Sequence, residues 1–362
     1  MRGNLPKQTS MLALLSVESL VPQDHPIRPI KRLVDDILKA LSPTFDQMYK
    51  TSGRPSVPPE RLLKAMLLMA FFSIRSERLL CEQLQYNLLY RWFLDMDLTE
   101  TPFDHSSFSK NRDRLLEHDV ARKFFDQVVA AAGMRKLLSS EHFSVDGTLI
   151  EAWASAKSFR PKDEPPPDDT NGFGDFKGTT RTNDTHESTT DPEARLFRKG
   201  PGREARLSYM THAMTENRNG LIVDLETTPA TGTAEREAAL KMLGRERAKR
   251  TGKRWRRLTV AGDKGFDTKD FVKRCRELRV TPHVAQNVHA RRSSAIDRQV
   301  TRHPGYGKSL LARLLIEKVF GWMKTTGGFR KSRFVGLRRT SFAAEIVAAA
   351  LNVLRIVRLS PV

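Results

Sequence analysis

The chain has 362 residues, of which 39% are hydrophobic and 29% charged, enough apolar material for a sizeable core. Sixty-two Lys and Arg against 42 Asp and Glu give a formal charge of +20, an excess that points to a polyanionic partner and argues against an acidic or neutral surface. Two cysteines, Cys81 and Cys275, exclude a disulfide framework and a cysteine-rich zinc module, and both read as small buried apolar side chains. No membrane span is expected: the most apolar stretch, Ala65 to Ile74, is ten residues long, where a span needs about 20. Met11 to Val17 is too short for the apolar core of a secretion signal. A cytosolic, nucleoid-associated location is the expectation.

Residues 1–57 are mixed and punctuated by prolines, with one helical pattern near Ile30–Leu41. Residues 58–137 predict an all-helical region. Pro58, Pro59 and Glu60 form a helix start followed by Leu62, Leu63, Met66 and Met69 at helical spacing. Ser76 is a cap before Leu79, Leu80 and Leu84. Asp104, Ser106 and Ser107 open a further helix, and a last one covers about His118–Leu137. The period then changes. Glu141–Asp146 reads as a strand, while 160–202 reads as a polar, flexible loop on composition alone. Strands are expected at Arg206–Thr215 and Leu221–Thr227, a hairpin with Asn219-Gly220 in its loop. A helix from Thr233 to about Arg250, strand Arg257–Ala261, helix Thr268–Leu278 and strand Val280–Ala285 follow, with closing helices at Leu310–Thr326 and Phe342–Arg358. The sum is an α/β layer architecture over 138–358 behind the helical region.

Positive charge is clustered. Lys241–Arg257 holds nine Lys and Arg against Glu246, and His289–Arg358 holds fifteen against Asp297, Glu317 and Glu345. Lys and Arg neutralise phosphates and release counterions, so such runs suit DNA. Gly327-Gly328-Phe329-Arg330-Lys331-Ser332-Arg333-Phe334 interleaves aromatics with cations. Three acids stand out. Asp146 ends a strand in Ser144-Val145-Asp146-Gly147-Thr148, and Asp263 ends another in Val260-Ala261-Gly262-Asp263-Lys264; α/β sheets place their sites at such strand ends. Glu317 lies on a late helix with Arg313 and Lys324, spaced by four and seven residues and so on one face. Carboxylates gathered this way call for cations between them, and hard oxygen donors favour Mg²⁺ or Mn²⁺. Taken singly, each acid has a plainer reading: a turn residue before Gly, or a surface partner of Arg313.

These motifs, in order, resemble bacterial insertion-sequence DDE transposases, and most nearly the family named for insertion sequence five. The resemblance covers about Arg54 to Arg358 and includes Pro102-Phe103-Asp104-His105-Ser106-Ser107-Phe108 in the helical region. It implies a ribonuclease H-like mixed-sheet catalytic domain at 138–358 with an N-terminal all-helical DNA-binding domain at 58–137. It further implies two divalent ions, Mg²⁺ or Mn²⁺, held by Asp146, Asp263 and Glu317. DNA contacts are implied for Arg313 and Lys324, and the charge pattern adds Lys264, Arg330, Lys331 and Arg333. Ser106, Ser107 and Arg112 sit where a recognition helix would place its base contacts, although an ordinary amphipathic helix fits the same spacing. The implied partners are double-stranded DNA at the element's terminal repeats and in the target, with a homodimer assembling on DNA. The chain departs from a sister group at Leu310, where that group has Tyr three residues before the Arg.

Other motifs carry less. Gly305-Tyr306-Gly307-Lys308-Ser309 resembles a phosphate-binding loop, but Arg302 stands where its first Gly belongs, so no nucleotide cofactor is expected. His142, His212 and His283 read as satisfied strand residues. Two rival readings remain: a catalytically idle DNA-binding protein derived from a transposase, and a stand-alone ribonuclease H-like nuclease.

Overall fold

The computed structural model describes residues 16–49, 56–162, 181–198, 200, 202–249, 257–288 and 293–360. The centre of the expected polar stretch, 163–180, lies outside the described residues, as do 250–256 of the first basic run and Arg291 and Arg292 of the second.

Helices come first among the described residues: α1 (Val17–Leu20), α2 (Ile27–Asp46), α3 (Pro59–Phe71), α4 (Glu77–Tyr86), α5 (Leu88–Phe93), α6 (His105–Glu117) and α7 (Val120–Met134). Their boundaries follow local chemistry. Helix α2 buries Ile30, Val34, Ile37, Leu38 and Leu41 at three- and four-residue spacing. Pro59 opens α3, where a missing N–H costs nothing. The Ser76 hydroxyl accepts the Leu79 N–H at 3.1 Å, Asn87 accepts that of Tyr90 at 3.2 Å, and Asp104 accepts that of Ser106 at 2.7 Å.

Strand β1 (His142–Glu151) runs five residues beyond Asp146, where the sequence reading ended it. Thr148 and Ile150 keep the buried alternation going, and the following partner strand pairs with β1 along its length, from Phe143↔Glu216 to Glu151↔Ser208. Next come β2 (Phe159–Pro161), β3 (His186–Ser188) and β4 (Arg195–Phe197). The first two pair with each other, so part of the stretch read as loop is ordered. Polar anchors hold it, which composition hides: the Ser158 and Ser188 hydroxyls meet at 2.8 Å and the Tyr209 hydroxyl donates to Asp191 at 2.6 Å, all buried.

The remaining elements are β5 (Arg206–Glu216), β6 (Ile222–Pro229), α8 (Ala234–Ala248), β7 (Leu258–Gly262), α9 (Lys269–Glu277), β8 (Val280–Val284), α10 (Arg298–Arg302), α11 (Pro304–Ala312), α12 (Leu314–Lys324) and α13 (Leu337–Leu359). The expected helix at Leu310–Thr326 thus begins earlier, at Pro304; α11 and α12 abut at Arg313, which keeps helical dihedrals. The main sheet is mixed, with β6, β5 and β1 antiparallel, β1, β7 and β8 parallel, and β4 antiparallel to the start of β5 at Arg206–Ser208. The expected hairpin between β5 and β6 is closed by the buried Glu216 carboxylate, which accepts the N–H groups of Arg218, Asn219 and Leu221.

The two sheet faces bury different sets. Phe143, Val145 and Met214 pack with Leu243, Val260 and Phe271 under α8 and α9. Ile150 and Ala213 join the larger core, which runs from Val21 to Ile356 and includes α2, α3, α7, α12 and α13. The N-terminal helices therefore share a core with α13. Asn352 of α13 ties that core to the sheet: its Oδ1 accepts the Ile222 N–H at 3.0 Å and its Nδ2 donates to the Ile222 carbonyl at 2.7 Å, all buried. Asn352→Leu strands both backbone groups and should cost about 2 to 4 kcal/mol, read as a lower midpoint in chemical denaturation; an unchanged midpoint would discount the clamp.

Candidate active site

Parallel pairing of β1 with β7 covers only His142↔Thr259, Phe143↔Val260 and Ser144↔Ala261. Two residues further in the same register, Asp146 comes level with Asp263, the first residue after β7. Asp146 is therefore not at the end of its strand, as the sequence reading had it. What ends beside it is the neighbouring strand, while β5 carries β1 onward. Gly262 permits the turn that follows: a Cβ there would come within 2.9 Å of the Phe266 ring and 3.1 Å of Val284. The Asp263 carboxylate accepts the Gly265 N–H at 2.7 Å and caps that turn.

Arg313, at the junction of α11 and α12, faces the same spot. Its guanidinium lies 3.9 Å from Asp146 and 3.5 Å from Glu317. Asp146 is sheltered, with 19% of its side chain exposed, whereas Glu317 is 57% exposed. Burial raises the Asp146 carboxyl to about 6; the Gly147 N–H and Arg313 pull it down, and the charges of Asp263 and Glu317 push it up.

The structure thus brings together Asp146, Asp263, Arg313 and Glu317. Among the described residues no three His, Cys, Asp or Glu side chains stand close enough to hold a metal ion as they are arranged. The donor chemistry nevertheless fits a hard divalent cation. The acids are all oxygen donors, and Asp146 is a sheltered carboxylate whose ionised form is disfavoured by its surroundings, a burden that a bound cation relieves.

Lys264 is exposed on the turn after Asp263, and Lys324 closes α12. Arg330 and Lys331 are exposed in the segment after α12. Ser106 is exposed at the start of α6; Ser107 is half-buried, with its carbonyl accepting from Asn111. Two of the expected DNA contacts are committed inside the protein. Arg112 pairs with Glu77 and lies 4.6 Å from the Phe334 ring centre, and Arg333 donates to the Ile74 carbonyl at 2.9 Å. Arg112, Lys331 and Arg333 line one cavity between α6 and the basic segment.

The sequence reading missed a second layer behind Asp146. A Cβ on Gly147 would sit 2.9 Å from both the Glu235 carboxylate and the His212 Nδ1. His212 is buried, with its Nε2 within 2.9 Å of the Thr228 hydroxyl and its Nδ1 unpartnered, and burial lowers its pKa to about 4. It is only half-satisfied, unlike His142, against Thr259 at 2.7 Å, and His283, against Ser309 at 2.8 Å. A glycine inside a strand signals such a close approach.

The fold and site define a mixed-sheet α/β protein with a cluster of acids set in a strongly basic chain. The Transposase DDE domain family matches residues 140–353, and a family described as Transposase domain (DUF772) matches residues 15–114. The chain belongs to the Transposase DDE domain family and is a DDE-type transposase, an enzyme of DNA recombination that cuts and joins DNA. No curated protein matches it. Solved structures with similarity include the piggyBac transposase synaptic complex with hairpin DNA, at 9% identity and TM-score 0.43, covering 92% of this chain and 75% of that one. A pre-cleavage Mos1 transpososome is 12% identical with TM-score 0.21, covering 86% and 81%. A Mos1 mariner paired end complex with Mn is 15% identical with TM-score 0.22, covering 93% and 90%.

Because the folded pocket raises the Asp146 pKa to about 6, the folded protein holds that proton to higher pH than the unfolded chain does. The stability this adds is full below the unfolded value of 3.8 and is lost as pH rises through about 6. Asp146→Asn should therefore be more stable than wild type near pH 7.5 in EDTA, by about 1 to 3 kcal/mol. The gap should close near pH 4. Equal stability at both pH values would mean that the carboxylate is not strained.

Proposed function

We propose that this transposase is metal-dependent and ribonuclease H-like, cutting DNA at the ends of its insertion element and joining the freed 3′-OH to target DNA. The observation that carries the reading is the level placement of Asp146 and Asp263 across neighbouring parallel strands, with Glu317 facing the same arginine. On this reading Asp146, Asp263 and Glu317 are the catalytic residues and would hold two Mg²⁺ or Mn²⁺ ions. Bound divalent ions there supply the positive charge that an in-line phosphoryl displacement needs at its attacking and leaving oxygens.

The chain's own residues position the DNA. Arg313 faces Asp146 and Glu317 and offsets part of their charge, and its cation is suited to the phosphate next to the scissile bond. Lys264, exposed beside Asp263, and Lys324, Arg330 and Lys331 beyond Glu317 extend the phosphate track away from the acids. Ser106 and Ser107, at the start of α6, are the candidate base readers of a DNA-binding region at 58–137, with 138–358 as the catalytic region. Arg112, over the Phe334 ring, and Arg333, on the Ile74 carbonyl, brace the two regions together. No residue need form a covalent link to DNA, because attack by water and then by the 3′-OH accounts for cutting and joining. The two element ends would be held by a homodimer.

The test uses purified full-length protein, labelled duplexes carrying the element's terminal repeats, a plasmid target and Mg²⁺. Wild type should give joined product, abolished by EDTA. Asp146→Ala and Asp263→Ala should each lower cleavage by at least about a thousandfold, the scale of losing a group central to charge stabilisation, and leave duplex binding within about twofold. Cut but unjoined product from wild type would favour the stand-alone nuclease, binding without cutting would favour the idle binder, and full cleavage by Asp146→Ala would sink the site assignment.

A further inference from the structure

Strand β1 and helix α12 both continue into one exposed feature. Two residues past the end of β1, Trp153 leaves 55% of its surface exposed. The Lys331 ammonium lies 5.3 Å from the centre of its ring. The two segments are stitched together by backbone. The Glu151 N–H donates to the Arg330 carbonyl at 3.1 Å, and the Ser332 N–H donates to the Glu151 carbonyl at 2.7 Å. Ser332 is buried, with its hydroxyl 2.8 Å from that of Thr340, and Ala152 is buried with its N–H on the Leu207 carbonyl at 2.9 Å. The indole therefore stands on a fixed platform while its ring faces solvent.

The surroundings are cationic. The Glu151 carboxylate is taken up by Arg206, and among the described residues neither Arg330 nor Lys331 pairs with a carboxylate. An exposed flat ring with an ammonium beside it, and an exposed arginine at the next position in the chain, matches one kind of ligand well: a nucleic-acid base stacks on the ring and its phosphate meets the cations. Trp153 is seven residues beyond Asp146. At about 3.3 Å per residue it lies within about 23 Å of that carboxylate, or about seven steps of 3.4 Å along a DNA strand.

We propose that Trp153, with Lys331 and Arg330, is a stacking subsite for an unstacked DNA base within about seven nucleotides of the scissile phosphate. The proposal rests on the transposase reading above and adds to it a residue outside the acidic pocket. Its partner is DNA with a locally opened stack, so the contribution is greatest where the bound strand is unpaired or distorted.

The test is photocrosslinking. Terminal-repeat duplexes carrying 5-iodouracil singly at each position within about ten nucleotides of the cleavage site are bound to full-length protein in EDTA, irradiated and mapped by mass spectrometry. Crosslinks to Trp153 should peak at one position within about seven nucleotides. Trp153→Ala should lose them and bind about tenfold more weakly, while Trp153→Phe, which keeps an aromatic face, should stay within about threefold of wild type. Both variants should retain the wild-type melting temperature, since the ring is exposed. Wild-type binding with no Trp153 crosslink at any position, or Trp153→Ala binding as tightly as wild type, overturns the subsite and leaves the transposase reading standing. A wild type that neither binds nor cuts the duplexes overturns that reading and the subsite with it.

Discussion

The site depends on a short parallel pairing. Three residue pairs set β1 against β7, and that register alone decides that Asp146 and Asp263 come level. A slip of one residue would turn the Asp146 side chain to the opposite face of the sheet, among Phe143, Val145 and Leu243. The register is protected from both sides. Thr259 and Ser144 hold it from the polar face, through contacts to His142 at 2.7 Å and Asn217 at 2.7 Å, and Val145 and Val260 lock into the core beneath α8 and α9. Because β7 stops at Gly262 while β5 carries β1 on to Glu151, the sheet has a step in its edge. Asp146 sits on the step, within reach of an element on the same face, and that element is the α11–α12 junction carrying Arg313.

Three buried acids of this protein, Asp224, Asp267 and Glu216, show how Asp146 differs from carboxylates that serve the fold. Asp224 accepts from Arg122 at 2.9 Å, Arg245 at 2.8 Å and the Leu225 N–H at 2.8 Å. Asp267 accepts the N–H groups of Asn287 at 2.7 Å and Ala295 at 2.9 Å. Glu216 closes a loop with three N–H groups. These are structural carboxylates whose charge is matched by donors. Asp146 has one N–H, from the next residue, and a guanidinium at 3.9 Å, while Asp263 and Glu317 add like charge. A sheltered carboxylate left short of donors is the arrangement expected of a group that works on a ligand rather than on the fold.

Much of this was legible in the sequence because the signals are local. Ser76, Asp104 and Thr268 each accept an N–H from the first turn of the helix they precede, the use that residue type and spacing predict. The pairing of Arg313 with Glu317 follows from four-residue spacing on a helix. What the sequence hid depends on partners far away. The length of β1 is masked in the sequence because Gly147 breaks its apolar pattern, and the reason for that glycine lies on β5 and α8, in His212 and Glu235. The strand at His186–Ser188 and most of the one at Phe159–Pro161 fall in a stretch whose composition predicts a loop, because buried hydroxyls and Asp191 anchor them in place of apolar side chains. The commitment of Arg112 and Arg333 to internal contacts was equally invisible, since a cation's partner is set by tertiary packing and not by its neighbours in the chain.

Those two arginines also explain how the helical region is held to the pocket. Arg112 of α6 lies over Phe334, Arg333 reaches the Ile74 carbonyl, Arg338 donates to the Leu116 carbonyl at 2.9 Å, and Arg339 meets Asp113 at 3.1 Å. Arg333 and Phe334 directly follow Ser332, and the Arg330–Ser332 segment is stitched to Glu151 by two backbone hydrogen bonds; Glu151 belongs to the strand that carries Asp146. Helix α6 and the acidic pocket are thus joined through short, hydrogen-bonded steps across a shared core, without a flexible linker between them. On the proposed reading, with α6 as the base reader and the acids as the cutting site, cutting at a fixed distance from a recognised sequence requires such a frame, because a misplacement of about 1 Å at the reacting phosphate is enough to cost about a hundredfold in rate.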